Sequence, residues 1–428
     1  MSSKPPYPDV GRADFPALEA RVLDRWAAEG TFRASVEARP EEDEFVFYDG
    51  PPFANGLPHA GNLLTGYVKD IVPRYQTMRG YRVDRRFGWD CHGLPAEMEV
   101  ERELDVSGRA AITEYGIDRF NDRCRESVLR YTGEWEKTVT RQARWVDFTN
   151  DYKTMDLSYM ESVMWAFKQL WEKGLIYEAF RVMPYSWGAE TPLSNFEIRL
   201  DDATRPRQDP AITVAFDLEP RTDDPGPMRL LAWTTTPWTL PSNLAVGVGP
   251  DVDYALRRDP DGFVYVLGAA AQERYETQLA GTEDLGVVTG AELVERSYQP
   301  LFDFFADRTD AFRVLGADWV NADEGTGVVH MAPGFGEEDQ VLCEANGIPI
   351  GGVVPVDDRG RFTEDIPEWA GVNVFEANPQ IISTLAEAGR LIRHDSYEHN
   401  YPHCWRTDTP IIYKAISSWY VRVTDLKE

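Results

Sequence analysis

The sequence is short of several things, and each shortage excludes something. It has only four cysteines, Cys91, Cys124, Cys343 and Cys404, scattered along 428 residues with no Cys-x-x-Cys pair. That argues against a zinc knuckle or a disulfide framework and for reduced thiols, and no protein-bound metal is expected. No stretch approaches the ~18 apolar residues that a membrane-crossing helix needs. A hydrophobic signal segment is lacking too, because residues 1–14 are polar and Pro-rich. The expectation is a cytoplasmic protein with no membrane partner. Positive charge is scarce: 44 Lys and Arg stand against 72 Asp and Glu, a net charge of -28. Phosphate contact needs clustered cations, so composition alone speaks against nucleic acid. The Arg-rich runs 119–130 and 81–86 are the candidates for a local basic stripe. A solvated helix face explains each of them equally well. No internal repeat or low-complexity stretch occurs.

What is present suits packed domains. Hydrophobic residues make up 43% and aromatics 12%, and the length allows two or three domains. Asp14 can cap a first helix, with Pro16 in its first turn, Gly30 at its end and Leu18, Val22 and Trp26 on one face. Residues 44–49 (EFVFYD) read as a buried strand, followed by the turn Gly50-Pro51-Pro52. A helix is expected over 59–78, with Leu64, Val68, Ile71 and Tyr75 on its buried face and a bend at Pro73. Residues 81–83 form a short second strand, completing a βαβ unit and pointing to a parallel, doubly wound α/β sheet. Further helices are expected over 117–136 and over 157–173, the second stopped by Gly174. Its stripe of Met160, Val163, Met164, Phe167, Leu170 and Trp171 reads as core packing.

The texture then changes. Short strands are expected at 212–218, 229–233, 252–256, 263–267, 312–315 and 327–330, with helices near 336–346 and 378–388. Regular spacing of this kind suggests a barrel-like β domain. The Tyr- and Trp-rich stretch 395–428 reads as a return toward the first domain.

Three motifs carry chemistry. In residues 49–70 (DGPPFANGLPHAGNLLTGYVKD), His59, Gly61 and Asn62 sit where a helix should begin. Free backbone N–H groups at such a start attract phosphate, and His59 can donate to phosphate oxygens. A plain helix cap explains His59 about as well. In residues 232–243 (AWTTTPWTLPSN), Thr234, Thr235, Thr236 and Asn243 can rim a small polar pocket, although threonine is also common in strands. In residues 325–340 (GTGVVHMAPGFGEEDQ), a strand ending at His330 precedes a loop presenting Glu337, Glu338 and Asp339. One carboxylate there can pair with an α-ammonium group, yet an acidic loop needs no function in so acidic a chain.

Taken together, these motifs resemble class I aminoacyl-tRNA synthetases. His59-Ala60-Gly61-Asn62 is similar to their "HIGH" signature. The run 48–99, including GYRVDRRFGWDCHGLPAE, resembles the isoleucine, valine and leucine members, and is most similar to the isoleucyl form. The threonine loop and the Gly-Glu-Glu-Asp loop resemble the inserted editing domain of isoleucyl enzymes. The resemblance implies a Rossmann-like catalytic half carrying a barrel-like editing insertion. By it, Gly50, Pro51 and Asp90 line the aminoacyl pocket, with Asp90 on the substrate ammonium, while His59, Gly61 and Asn62 serve ATP and catalysis. Thr234, Thr235, Thr236, Asn243 and His330 shape the editing pocket, and Asp339 anchors the ammonium of a mischarged aminoacyl group. Asn62 departs from the family, which has a second histidine there; asparagine keeps a donor but cannot become a cation. Ala60 replaces a larger residue.

The implied organisation is an N-terminal helical extension over 1–43, the first catalytic half over 44–187, the editing insertion over 188–394 and the return segment over 395–428. The family's Lys-Met-Ser-Lys-Ser loop does not occur, so an incomplete N-terminal portion with bare apolar surface is expected. The implied substrates are ATP with Mg2+, L-isoleucine and tRNA(Ile), and the implied complete protein is a monomer. Three readings stay open: a ligase portion, a free-standing deacylase of Val-tRNA(Ile), and a non-catalytic tRNA-binding protein; a fourth, a valyl enzyme, is disfavoured by the threonine loop.

Overall fold

Asp14 does cap the first helix, α1 (Phe15–Glu29): its Oδ1 accepts from the Ala17 N–H at 3.1 Å. The computed structural model describes residues 13–427, so all but the last two residues of the Pro-rich start lie outside the described residues. The chain forms two compact units, dividing between Leu175 and Ile176.

In the first unit, α2 (Thr31–Glu37) follows α1, and residues 44–49 do not form the expected strand. The segment is extended, but its ladder pairing is a single parallel bridge from Glu44 to Arg82. Val46 and Tyr48 are 59% and 92% exposed, so alternation holds only one face against the unit. The helix expected next is α3 (Ala60–Met78), which runs unbroken through Pro73. The second strand also comes later than expected, as β1 (Arg86–Trp89), after only a bridge at Arg82. It pairs in parallel with β2 (Asp147–Lys153). Between them lie α4 (Leu94–Leu104), α5 (Gly108–Tyr115), α6 (Ile117–Ser127) and α7 (Thr132–Arg141). The single helix expected over 117–136 is thus two, broken where the Tyr131 N–H leaves the helix to bond the Ala54 carbonyl.

Phe87 and Trp89 of β1 are buried with Trp135, Val139 and Val146, and Phe87 stacks on Phe148 at 4.4 Å. This is the core of the unit. Helix α8 (Leu157–Glu172) forms where periodicity placed it. Its apolar stripe is not core, however: Val163 and Met164 are 52% and 70% exposed. The same correction applies to α3, whose Leu64, Val68, Ile71 and Tyr75 are exposed.

The second unit is dominated by antiparallel pairing. Its strands are β3 (Ile176–Ser186), β4 (Thr191–Pro192), β5 (Thr204–Asp217), β6 (Met228–Thr234), β7 (Ala245–Val248), β8 (Asp253–Arg258), β9 (Val264–Gly268) and β10 (Glu283–Thr289). After the one-turn helix α9 (Gly290–Leu293) come β11 (Arg313–Gly316), β12 (Val328–Met331), α10 (Glu337–Ala345), α11 (Val374–Glu387), β13 (Leu391–Pro402) and β14 (Ile412–Val421). One sheet runs β10-β8-β9-β6-β5-β13, and a smaller one runs β11-β7-β12. A barrel is not confirmed: the larger ladder runs from one edge strand to another without closing.

Ile212, Val214 and Phe216 of β5 are fully buried, as are Leu230 and Ala232 of β6, and they pack with Ala377, Ile381 and Leu385 of α11. Each of the larger side chains among them contributes ~1.5–3 kcal/mol of burial. The return segment pairs with the outgoing chain. β13 runs antiparallel to β5 from Leu391↔Val214 to Pro402↔Thr204, and β14 runs antiparallel to β3 from Ile412↔Tyr185 to Val421↔Ile176. This pairing places residues 176–187 with the second unit.

Candidate functional site

In the first unit, His59 is the residue before the first turn of α3, with extended backbone, and its side chain is exposed. Asn62 Oδ1 accepts from the His59 N–H at 3.0 Å, so one face of the Asn62 amide closes the helix start and its Nδ2 keeps the donor role. Gly61 matters for a close approach. A Cβ there would lie 3.1 Å from His59 Cε1, so the absence of a side chain lets the imidazole fold over the first turn.

Gly50, Pro51 and Asn62 line one cleft of about 190 Å³, together with Lys69, Gln142 and Arg144; His59 and Gly61 stand outside that lining. Lys69 is tied to Asp49 at 2.6 Å and to the Gly50 carbonyl at 2.6 Å. Arg144 also pairs with Asp49, and the Tyr152 hydroxyl donates to the Asp49 carbonyl at 3.0 Å. Asp49, Lys69, Arg144 and Tyr152 therefore fix the Gly-Pro-Pro turn, and sequence reading missed all four in that role. Asp90 follows the carboxyl end of β1, the end at which open α/β sheets bind ligands. Its N–H donates to the Pro52 carbonyl at 2.9 Å, which joins Asp90 to the same turn.

In the second unit, the threonine run ends β6, because Pro237 has no N–H to continue a ladder. Thr234 Oγ1 accepts from the Thr236 N–H at 3.1 Å, turning the chain into a buried 3-10 segment, Pro237–Ser242. Thr235 is partly exposed. His330 lies on β12 and is buried, which pulls its imidazole down to about 4 and keeps it neutral. The Asn243 amide donates to His330 Nδ1 (3.2 Å) and to the Ala245 carbonyl (2.8 Å), while Asn243 Oδ1 accepts from the Tyr298 hydroxyl (2.5 Å). With Nδ1 accepting, the proton sits on Nε2, which donates to Thr239 Oγ1 at 2.8 Å; Thr239 then donates to the Thr236 carbonyl at 2.9 Å. Both ring nitrogens are therefore engaged. Asn243 is 5% exposed, so it holds the wall rather than the rim.

Asp339 sits in the first turn of α10 and folds back so that its Oδ2 accepts from the Ala332 N–H at 2.9 Å, two residues past His330. Gly336 permits this fold, since a Cβ there would collide with the Asp339 carboxylate. Burial pushes the Asp339 carboxyl up to about 6, against the lowering effect of the Ala332 N–H and helped by the charge of Glu338. Trp238 of the threonine segment packs edge-on against Phe335 of the glycine loop at 5.0 Å. The two motifs, far apart in sequence, are thus joined by the His330–Thr239 bond and the Trp238–Phe335 contact. Glu337 and Glu338 are exposed. Sequence reading missed Thr239, which is masked by the more conspicuous triple, and Tyr298, which lies in no local pattern.

Among the described residues no group of three or more His, Cys, Asp or Glu is placed to hold a metal ion, and no helix is long and apolar enough to cross a membrane.

Comparison with known proteins adds a family. The family model for tRNA synthetases class I (I, L, M and V) matches residues 21–428. An isoleucine–tRNA ligase of Rickettsia canadensis (strain McKiel) is 55% identical over 433 residues, covering 100% of this chain and 40% of that protein. That of Rickettsia felis (strain ATCC VR-1525 / URRWXCal2) is 54% identical over 446 residues, with 100% of this chain and 40% of that protein covered. The chain spans about 40% of the length of the curated relatives it matches. A solved structure, the crystal structure of GlLeuRS-CP1, is similar at a TM-score of 0.36 and 14% identity, covering 43% of this chain and 99% of that chain.

Proposed function

The chain belongs to the class I tRNA synthetases of the I, L, M and V group, and from that premise we propose that it carries two pockets of an isoleucine–tRNA ligase. The first activates L-isoleucine with ATP, taken as its magnesium complex, for transfer to tRNA(Ile). The second hydrolyses Val-tRNA(Ile). In this reading the complete protein is monomeric and works in the cytoplasm, and the domains follow the boundaries 1–43, 44–187, 188–394 and 395–428.

Two pockets answer a physical limit. Isoleucine and valine differ by one methylene, worth only ~1–3 kcal/mol of discrimination, and the isoleucyl enzymes are themselves the standard measured case. A second pocket that admits valine and excludes isoleucine removes the error.

At the activation site, His59 and the Asn62 amide donate to ATP phosphates at the start of α3, where the helix dipole favours negative charge. Gly50 and Pro51 border the aminoacyl group, and Asp90 receives its ammonium. Asn62 cannot add a positive charge as phosphate charge develops, so the donor role falls mainly to His59.

At the editing site, Asp339 pairs with the aminoacyl ammonium. An ammonium partner favours the ionised carboxylate, so binding draws a proton off a group that otherwise titrates near 6. Water adds to the ester carbonyl, and the ribose oxygen leaves with a proton. His330 is not the base in this scheme: it is neutral with both nitrogens engaged, and it holds the threonine loop in place. Thr234, Thr235 and Thr236 then position the water and the terminal ribose.

The observation that carries this reading is the junction of the threonine loop and the Asp339 loop through His330, within one unit. It equally favours a narrower second reading, a deacylase alone, because every member of the network lies in the second unit. The test is deacylation of Val-tRNA(Ile) together with isoleucine-dependent ATP–pyrophosphate exchange. Hydrolysis is expected, and Asp339→Ala should lower kcat/KM about 30- to 150-fold, from the ~2–3 kcal/mol of a charge-assisted bond. Exchange activity favours the ligase; deacylation without exchange favours the narrower reading. Hydrolysis by Asp339→Ala at the parent's rate would exclude the assigned ammonium site.

A further inference from the structure

Strand β3 is paired along its length with β14 on one side, while β4 meets its other edge only at Tyr185 and Ser186. Between Phe180 and Val182 that other edge is taken up by one side chain. Gln340 Oε1 accepts from the Val182 N–H at 3.0 Å, and Gln340 Nε2 donates to the Phe180 carbonyl at 2.8 Å. The amide thus satisfies the i and i+2 positions of β3 much as a neighbouring strand does. Its second amide proton goes to Glu344 Oε1 at 2.9 Å, and the side chain is buried. The amide cannot flip without setting N–H against N–H and carbonyl against carbonyl.

The partner strand grips the same loop. Ala415, which faces Val182 across the ladder, donates its N–H to the Gly334 carbonyl at 2.8 Å. The segment 334–340 is therefore fastened across the β3–β14 pair around the Val182–Ala415 position, by the Gln340 side chain on β3 and by the Gly334 carbonyl on β14. Asp339 lies between the two attachments, its carboxylate hooked to Ala332 and its neighbour locked to β3.

We infer that Gln340 is a positioning residue for the editing reaction, setting the Asp339 carboxylate by tying the first turn of α10 to the β3–β14 pair. This rests on the proposed editing role of Asp339. Leucine at 340 keeps the bulk and removes every polar contact. Glutamate keeps an acceptor for Val182 but turns an oxygen toward the Phe180 carbonyl.

The test uses the full chain and steady-state deacylation of Val-tRNA(Ile) by the parent, Gln340→Leu, Gln340→Glu and Asp339→Ala, with thermal unfolding recorded for each. A loosened carboxylate weakens capture of the ammonium more than it slows turnover. Gln340→Leu is expected to raise KM about tenfold with kcat within about threefold, with Gln340→Glu between it and the parent. Two outcomes overturn the inference while leaving the editing site standing: an unchanged KM in Gln340→Leu alongside an impaired Asp339→Ala, or a loss confined to kcat that tracks lost folded protein. Should Asp339→Ala itself be unimpaired, the editing assignment fails first.

Discussion

Two groups of the second unit, the buried His330 and the half-buried Asp339, titrate in opposite senses, and their opposition is measurable. His330 stays neutral down to about 4 because burial penalises the imidazolium, whereas an unfolded chain protonates it near ~6.5. With the folded value the lower one, the unfolded chain takes up the proton first, so stability is lost as pH falls from ~6.5 to about 4. Asp339 runs the other way. Its folded carboxyl protonates near 6, its unfolded one near ~3.9, so the folded chain takes up the proton first and stability is gained over the same fall. Each shift is worth ~3 kcal/mol, so in the parent the two nearly cancel. Asp339→Asn should expose the His330 loss, costing about 3 kcal/mol more than the parent between pH ~6.5 and 4; His330→Gln should do the reverse. Urea midpoints at a series of pH values read this out, and superimposable profiles for the parent and Asp339→Asn would refute it. The sequence made both residues visible, because a histidine ending a strand and an acid after a glycine loop are local patterns. Their supports were not visible: Tyr298 reaches Asn243 across 55 positions, and no periodicity marks such a pair.

At the scale of elements, periodicity located helices well and their surroundings poorly. The apolar residues of α3 fall at helical spacing, and the helix forms within a residue of the expected start. Yet Leu64 is 68% and Ile71 63% exposed. An amphipathic pattern reports that one face is apolar and does not say what covers it. The strand expected at 44–49 failed for a related reason: strand propensity describes a residue's fit to a pleated surface, and here that surface offers one bridge to Arg82. The long ladders β13–β5 and β14–β3 were legible only as a return of the chain, since pairing across such separations leaves no local trace. A contrast in stability follows. Ile71→Ser on α3 should change the unfolding free energy by less than ~0.5 kcal/mol, the usual range for exposed sites. Phe87→Ala, on β1 in the aromatic core, should cost ~3–5 kcal/mol. Denaturant unfolding of both variants checks this, and a cost above ~2 kcal/mol for Ile71→Ser would mean that this face is packed in solution.

For the molecule as a whole, the proposed function raises the question of how a chain of charge -28 would meet a polyanion such as tRNA. The Arg-rich runs that sequence reading offered as basic stripes are already engaged. Arg123 pairs with Glu103 and Glu126, Arg125 with Asp122, and Arg130 with Glu103. In the other run, Arg82 pairs with Asp84 and Glu41, while Arg85 is buried and donates to the Pro73 carbonyl. Arg119 and Arg86 have backbone carbonyls as partners, those of Tyr115 and of Asn150 and Asp151, so neither run presents a row of unengaged cations to phosphate. Each phosphate contact releases counterions, so the salt dependence of binding counts the cations in use. If recognition rests on the ribose terminus and the aminoacyl group rather than on backbone charge, that dependence must be shallow. The affinity of this chain for tRNA should therefore fall less than about tenfold between roughly 50 and 200 mM monovalent salt, against about 10³-fold or more for a protein using six or more phosphate contacts. Arg123→Gln and Arg130→Gln should each leave the affinity within about twofold. Filter binding over a salt series decides it: a slope matching six contacts, or a tenfold loss in either variant, would place a working basic surface on the helices that these ion pairs were taken to neutralise.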